Sequence, residues 1–217
     1  AGRFRCDVQS QRGEPAIVLR RLPEGAPTLE SLHLPAVVRD AALARRGLTL
    51  IAGTAGSGRT TTLAAMVETI NGAVPGKVIT IDDPAEFVIP GRKALVSQRE
   101  VGRDGATVED VLARALRHDP DVIAVGALGG AAAIRLALRA AESGVQVLAV
   151  VHGTSATQTV ERTLLAMPPE ERRLAAEQLA ATMEAIIAQR MATTKEGGRL
   201  PVVEVLRGAP LTSRSIL

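Results

Sequence analysis

Aromatic residues are nearly absent from this sequence, which has no tryptophan, no tyrosine and only two phenylalanines, Phe4 and Phe87. Proteins that bind single-stranded nucleic acid stack the bases on aromatic side chains, so this scarcity argues against that function. The net charge of +3 comes from arginines that are scattered along the chain rather than clustered. We therefore expect no nucleic-acid partner and interpret the basic balance as a solvated, arginine-rich surface.

Cysteines and long apolar runs are also scarce. Cys6 is the single cysteine, so no internal disulfide can form, which favours a reducing compartment. The apolar run at 145–151 is too short to cross a bilayer and contains Gln146. The first residues also lack the apolar segment of a signal peptide. Together these absences predict a cytoplasmic protein.

The rest of the sequence alternates between strand and helix patterns. Residues 3–22 alternate as a β-hairpin, and residues 23–34 have the composition of a linker. Later strand patterns fall at 47–53, 77–82, 121–126, 145–151 and 200–206. Helical patterns fall at 35–45, 59–71, 107–117, 130–143, 155–166 and 169–191. This alternation predicts an α/β fold with a mostly parallel sheet covered by helices on both faces.

The most specific motif is the segment 53–60, which we call the phosphate-binding loop. It matches the pattern G-x-x-x-x-G-K-[ST] at every fixed position except the lysine, which is replaced by Arg59. A predicted strand precedes the loop and a predicted helix follows it, so backbone N–H groups at a helix N-terminus can bind phosphate. The residues expected to contact a nucleotide are Gly53, Thr54, Ala55, Gly56, Ser57, Gly58, Arg59, Thr60 and Thr61.

Thr60 favours nucleotide binding, whereas Arg59 argues against fast hydrolysis. The hydroxyl of Thr60 is the usual Mg²⁺ ligand of such loops, so binding of a nucleotide with its metal is expected. Arg59 is longer, planar and forked, and arginine does not simply replace lysine at a crowded phosphate site. The loop therefore predicts nucleotide binding more strongly than it predicts fast hydrolysis.

Polar side chains follow two other predicted strands. Residues 80–87 place Asp82, Asp83 and Glu86 at the carboxyl end of a strand, and His152 comes directly after another. Ligands of open α/β sheets bind at that edge. Each segment taken singly also fits a plainer interpretation: a polar turn, or a histidine bonded to the backbone. For His152 alone the plainer interpretation is favoured.

Taken in order and at this spacing, these segments resemble one family along essentially the whole chain. The sequence is similar to type IV pilus retraction ATPases of the PilT kind, within the type II/IV secretion ATPase superfamily. The segments that carry the resemblance are the loop 53–60, the acidic segment 80–87, residues 98–102, the strand segment 119–127, residues 133–138, the segment around His152, and residues 161–162.

The resemblance implies a RecA-like P-loop NTPase core, preceded by a PAS-like domain of which only the last hairpin is present. The implied boundaries are 1–22 for the end of the PAS-like domain, 23–34 for the linker and 35–217 for the RecA-like domain. It implies ATP and Mg²⁺ as cofactors, Glu86 and His152 as catalytic residues, and Thr60 and Asp83 as metal ligands. It also implies a cytoplasmic hexamer, homomeric or mixed with PilT-like subunits, which is peripheral to the membrane and docks on an inner-membrane pilus platform protein.

The departures from the family pattern concern the segment after residue 125. The family has a catalytic glutamate after Gly126, where this chain has Ala127, and an arginine and an aspartate where it has Gly129 and Gly130. Three hypotheses follow: a nucleotide-binding subunit with impaired hydrolysis, a working ATPase that uses Arg59 and Glu86, and a nucleic-acid-dependent ATPase with a similar core. The missing aromatics disfavour the third, and the combined changes favour the first over the second.

Overall fold

The alternating pattern forms a seven-stranded sheet flanked by helices in a computed structural model, which describes residues 2–216. The strands are β1 (Phe4–Gln11), β2 (Glu14–Arg21), β3 (Gly47–Gly53), β4 (Gly76–Asp82), β5 (Ala94–Glu100), β6 (Val122–Val125), β7 (Gln146–His152), β8 (Met183–Thr193) and β9 (Arg199–Arg207). The helices are α1 (Ala36–Ala42), α2 (Arg59–Ala73), α3 (Val108–Leu116), α4 (Ala131–Glu142), α5 (Ala156–Leu165), α6 (Arg172–Thr182) and α7 (Pro210–Ile216). Among the described residues, no helix is long and apolar enough to cross a membrane.

The large sheet has the strand order β5-β4-β6-β7-β3-β8-β9. All neighbouring pairs are parallel except β8 with β9, so the predicted mostly parallel sheet is confirmed. Every residue of β3 and β6 is buried, because helices cover both faces of the sheet centre. The carboxyl ends of β3, β4, β6 and β7 consequently meet at one edge, as the parallel pairing requires.

The predicted helix at 169–191 is wrong over its second half. Residues 169–171 form a 3₁₀ turn, α6 ends at Thr182, and Met183–Thr193 form β8 beside β3. The segment is rich in alanine, leucine and methionine, which favour helices, and contains no glycine or proline between 172 and 193. A strand buried on both faces shows no alternation, so its apolar pattern does not differ from that of a buried helix.

Strand β5 was not predicted either. It lies at the edge of the sheet, pairs only with β4, and carries the polar run Ser97, Gln98, Arg99 and Glu100. An edge strand needs little apolar surface, so the polar residues of β5 did not indicate a strand. Its position matters for function because it brings Gln98 and Glu100 beside the acidic segment 80–87.

The N-terminal β-hairpin is confirmed as an antiparallel pair, β1 with β2. Its apolar side chains are exposed, with Val8, Ile17 and Leu19 each more than 60% accessible. Arg3 ties the hairpin to the rest of the chain by donating to the carbonyl oxygens of Ala85 and Glu86 at 3.0 and 3.1 Å. The division into domains remains a prediction, and its outer ends, residues 1 and 217, lie outside the described residues.

Gln146 offers a test of how the sheet holds α1. The residue is only 3% exposed, and its amide Nε2 donates to the carbonyl oxygens of Ala41 and Ala42 at 3.2 and 2.9 Å. Gln146→Leu would leave these helix-end carbonyls without that donor. We expect the free energy of unfolding in urea to fall by about 1–3 kcal/mol. The exposed Gln9→Leu on β1 is the control, and an equal loss there would contradict this role.

Candidate functional site

The phosphate-binding loop connects β3 to α2 and has the backbone conformation that its glycines allow. Gly56 and Gly58 adopt φ values of 77° and 86°, in the left-handed region. Gly58 is the N-cap of α2, and no side chain caps the helix there. The first N–H groups of α2 thus have no side-chain partner at the cap, which is the arrangement that binds phosphate at helix N-termini.

Two glycines of the loop also lie too close to other groups to carry a side chain. A Cβ at Gly53 would collide with Ser57 Oγ and come within 2.6 Å of the backbone oxygen of Gln189. A Cβ at Gly58 would lie 2.9 Å from Nε2 of Gln189. The loop is therefore packed tightly against β8, while Thr54, Ala55 and Gly56 remain exposed.

Arg59, at the position of the usual lysine, extends to the end of β7. Its Nη1 donates to the carbonyl oxygen of Val151 at 2.5 Å and lies 3.2 Å from Nδ1 of His152. A guanidinium only donates, so any hydrogen bond in this contact has Nδ1 of His152 as its acceptor. Burial lowers the pKa of Arg59. The structure thus brings Arg59 and His152 together, a contact that their separation of 93 positions in the sequence did not predict.

The acidic segment lies beside the loop across a narrow cleft. Thr60, Thr80, Asp82, Glu86 and Gln98 are the polar residues that line it. Asp82 and Glu86 are half-buried carboxylates that line this cleft together with Thr60, whereas Asp83 is exposed and is not among the lining residues. The assignment of Thr60 and Asp83 as metal ligands stays a prediction, and Asp82 is the aspartate that lines the same cleft as Thr60.

Two residues of β5 fix the backbone around Glu86. Gln98 accepts from the N–H of Ile89 at 2.8 Å and donates to the carbonyl of Phe87 at 2.9 Å. Glu100 accepts from the N–H of Ala85 at 3.2 Å. The edge strand β5 thereby holds the segment that carries Glu86 from one side.

Burial raises the pKa of Asp82 to about 6. The negative charges of Glu86 and Glu100 add to this shift, and the neighbouring Thr80 side chain opposes it. The carboxyl of Asp82 also packs against the end of β6, since a Cβ at Gly126 would lie 2.6 Å from its Oδ1. Asp82 is therefore held between the loop and the strand that precedes Ala127.

Thr60 also lines a second cleft, of about 310 Å³. The residues that line it include Arg59, His152 and three residues after β6, namely Gly126, Ala127 and Gly129. The carboxylate that lines it comes from α3 and belongs to Glu109. Sequence reasoning missed Glu109, because nothing in the sequence shows that the first turn of α3 faces the end of β6.

The site fits a nucleotide better than it fits a metal ion alone. The described residues contain no group of three histidine, cysteine or carboxylate side chains that could hold a metal. Mg²⁺ tends to keep several waters and to take one or two protein ligands together with phosphate oxygens. Thr60 and Asp82, which line the same cleft, are the residues that could hold Mg²⁺ together with a phosphate chain.

A glycine-rich loop that opens a helix at the carboxyl edge of a parallel sheet defines the class of P-loop NTPases. The family model described as Type II/IV secretion system protein matches residues 4–198. The chain belongs to this family.

The chain is also similar to characterised proteins of that family. It is 38% identical to the type IV pilus retraction ATPase PilT of Pseudomonas aeruginosa over 208 residues, 96% of this chain and 60% of that protein. It is 38% identical to the type IV pilus ATPase PilU of the same organism over 213 residues, 98% of this chain and 56% of that protein.

Among solved structures, the pilus retraction motor PilT with bound ADP superposes with a TM-score of 0.95 at 38% identity, and the match covers all of this chain and 63% of that one. The chain thus spans between 56% and 63% of the length of these three relatives. The mixed α/β fold with its mostly parallel sheet is that of the PilT structure.

Proposed function

We propose that this chain is the nucleotide-binding part of a type IV pilus retraction motor subunit that binds ATP with Mg²⁺ and hydrolyses it slowly. The observation that carries the proposal is the state of Arg59, which bonds to Val151 and His152 at the end of β7. The cleft that it enters has Ala127, not a carboxylate, at the end of β6.

Binding is supported by the loop itself. The left-handed conformations of Gly56 and Gly58 and the N-terminus of α2 form a cradle for phosphate oxygens. Thr60 would hold the metal, and bound Mg²⁺ would neutralise part of the phosphate charge. The structure of the similar pilus retraction motor PilT contains bound ADP, which supports this assignment.

Slow hydrolysis is supported by two separate changes. To reach the phosphates, the Arg59 guanidinium has to leave two hydrogen-bond partners, and its charge is spread over a planar fork, whereas the charge of lysine is compact. Loss of a carboxylate that orients or activates water costs about 10²- to 10⁴-fold in rate. Glu86 and His152 remain as the proposed catalytic residues, each in one of the two clefts that Thr60 lines.

The assembly is proposed by kinship with PilT and PilU. We propose a hexamer, either of this chain alone or mixed with PilT-like subunits, at the cytoplasmic face of an inner-membrane pilus platform protein. A mixed ring would let a slowly hydrolysing subunit serve as a structural or regulatory partner of active ones.

The proposal is tested by measuring binding and turnover on one preparation. We expect saturable binding of ATP in the presence of Mg²⁺, observed by calorimetry, together with turnover well below one per second. The steady-state rate is compared with that of a PilT protein whose lysine and glutamate are intact. Hydrolysis by the purified protein at a few per second or faster would overturn the slow-hydrolysis proposal.

One observation favours a second candidate, an active ATPase. Carboxylates line both clefts beside Thr60, with Glu86 and Asp82 in the first and Glu109 in the second. In that case Glu86 would act as the general base and Arg59 would neutralise phosphate. The same turnover measurement decides between the two, and Glu86→Gln would abolish activity in an enzyme of this kind.

A further inference from the structure

The strand β8, which the sequence pattern did not predict, places a glutamine directly behind the phosphate-binding loop. Gln189 pairs in register with Gly53, the first residue of the loop, and is only 2% exposed. A primary amide buried to this extent must satisfy its donors and its acceptor within the protein. The partners that it has are therefore informative.

Both ends of the Gln189 amide are used on the loop and on α2. Nε2 donates to the carbonyl oxygen of Ser57 at 2.7 Å, and Oε1 accepts from the hydroxyl of Thr62 at 2.8 Å. A carbonyl can only accept, so the NH₂ group has to face Ser57, and the hydroxyl of Thr62 then donates to the oxygen. One side chain thus connects the loop to the first turn of the helix in a single defined orientation.

These contacts fix the direction of the peptide between Ser57 and Gly58. In a trans peptide the C=O and the N–H point to opposite sides. Holding the Ser57 carbonyl toward β8 therefore directs the Gly58 N–H away from the sheet, toward the side on which the loop is open. The tight approach of Nε2 to Gly58, which leaves no space for a Cβ, belongs to the same arrangement.

The neighbouring strand adds a weaker, exposed contact. Arg199 on β9 donates from Nη2 to the carbonyl oxygen of Gly56 at 3.1 Å. The β8–β9 pair therefore holds two carbonyl groups of the loop, one buried and one at the surface. The buried contact is the one that solvent cannot replace.

We propose that Gln189 is a positioning residue that fixes the phosphate-binding loop in the conformation whose N–H groups receive a phosphate chain. The inference rests on the proposed function of the loop as a nucleotide site, and it adds a specific structural requirement for that site. Gln189 has no predicted contact with the nucleotide and acts through Ser57 and Thr62.

The test compares Gln189→Leu with Gln146→Leu in the full chain. Both replace a buried glutamine on a strand of the same sheet, but the amide of Gln146 bonds to α1 and not to the loop. The two readouts are amide hydrogen exchange of a peptide covering residues 54–62 and the dissociation constant for ADP with Mg²⁺. We expect Gln189→Leu to accelerate loop exchange and to weaken ADP binding by about tenfold, the equivalent of one lost buried hydrogen bond.

Equal changes in the two variants, or no change in either readout for Gln189→Leu, would overturn the proposal. If Gln189→Leu does not fold, Thr62→Val and Thr62→Ser decide the question, since only serine retains the hydroxyl that bonds to Oε1. We then expect faster loop exchange in the valine variant alone, and identical exchange in both would refute the positioning role. If the natural chain binds no ADP, the proposed function fails, while the exchange measurement still tests Gln189.

Discussion

The double variant Arg59→Lys, Ala127→Glu is expected to hydrolyse ATP about 10²- to 10⁴-fold faster than the natural chain. This corresponds to roughly 3–5 kcal/mol of barrier. Both substituted residues line the cleft beside Thr60, so the new charges would face the same space. Lysine would supply a compact charge to the phosphates, and the glutamate would supply the carboxylate that the end of β6 lacks. Steady-state phosphate release measures the gain.

The controls for this variant separate charge from packing. Arg59→Lys with Ala127→Gln adds a side chain of the same size without the negative charge, and we expect no comparable gain from it. We expect the rate gains of the two single substitutions, taken together, to be smaller than the gain of the double variant, because the effects of groups that act on one reaction step are not additive. A double variant that binds ATP as tightly as the natural chain but turns over no faster would show that other parts of the site also differ from a working ATPase.

Asp82→Asn is expected to stabilise the nucleotide-free protein at neutral pH by up to about 3 kcal/mol. The pKa of the Asp82 carboxyl rises from its ordinary 3.8 to about 6 on folding, chiefly because of burial. The folded state thus holds a proton that the unfolded state releases between these values. The natural protein therefore loses stability through this group as pH rises from about 4 to 6, and the full penalty persists above that range.

The difference in the free energy of unfolding between Asp82→Asn and the natural protein should therefore depend on pH. Urea unfolding with EDTA and without nucleotide should give nearly equal stabilities below pH 4 and a growing advantage for Asp82→Asn toward pH 7. Asp83→Asn removes an exposed carboxylate from the adjacent residue and controls for loss of charge on this segment. A stability difference that is the same at pH 4 and pH 7 would refute the assigned role of burial.

Much of the fold could be predicted from local pattern. The strands β3, β4, β6 and β7 are short apolar runs, and the helices between them carry their own apolar faces, so both element type and sheet class followed from the sequence. Strand β8 could not be predicted, because the residues after Thr182 favour a helix locally and become a strand only when the edge of β3 is available for pairing. Strand β5 was hidden for a related reason, since its polar residues serve the acidic segment rather than the core.

The residues of the candidate site could likewise be predicted only in part from the sequence. The segment 53–60, the carboxylates at the end of β4 and the position of His152 at the end of β7 could be read from the chain, since parallel pairing brings strand ends to one edge. The sequence could not show that Asp82, and not Asp83, lines the cleft with Thr60, because the direction of each of two adjacent carboxylates depends on the backbone at the end of the strand.

The sequence by itself determined that this chain has an α/β pattern with a phosphate-binding loop, and that Arg59 stands at the lysine position of that loop. These are properties of residue types at fixed spacing. The tertiary structure alone decided that Arg59 bonds to Val151 and His152 and that Gln189 holds the loop from behind. Those contacts join residues 92 to 132 positions apart, and such pairs meet only when the whole sheet has formed.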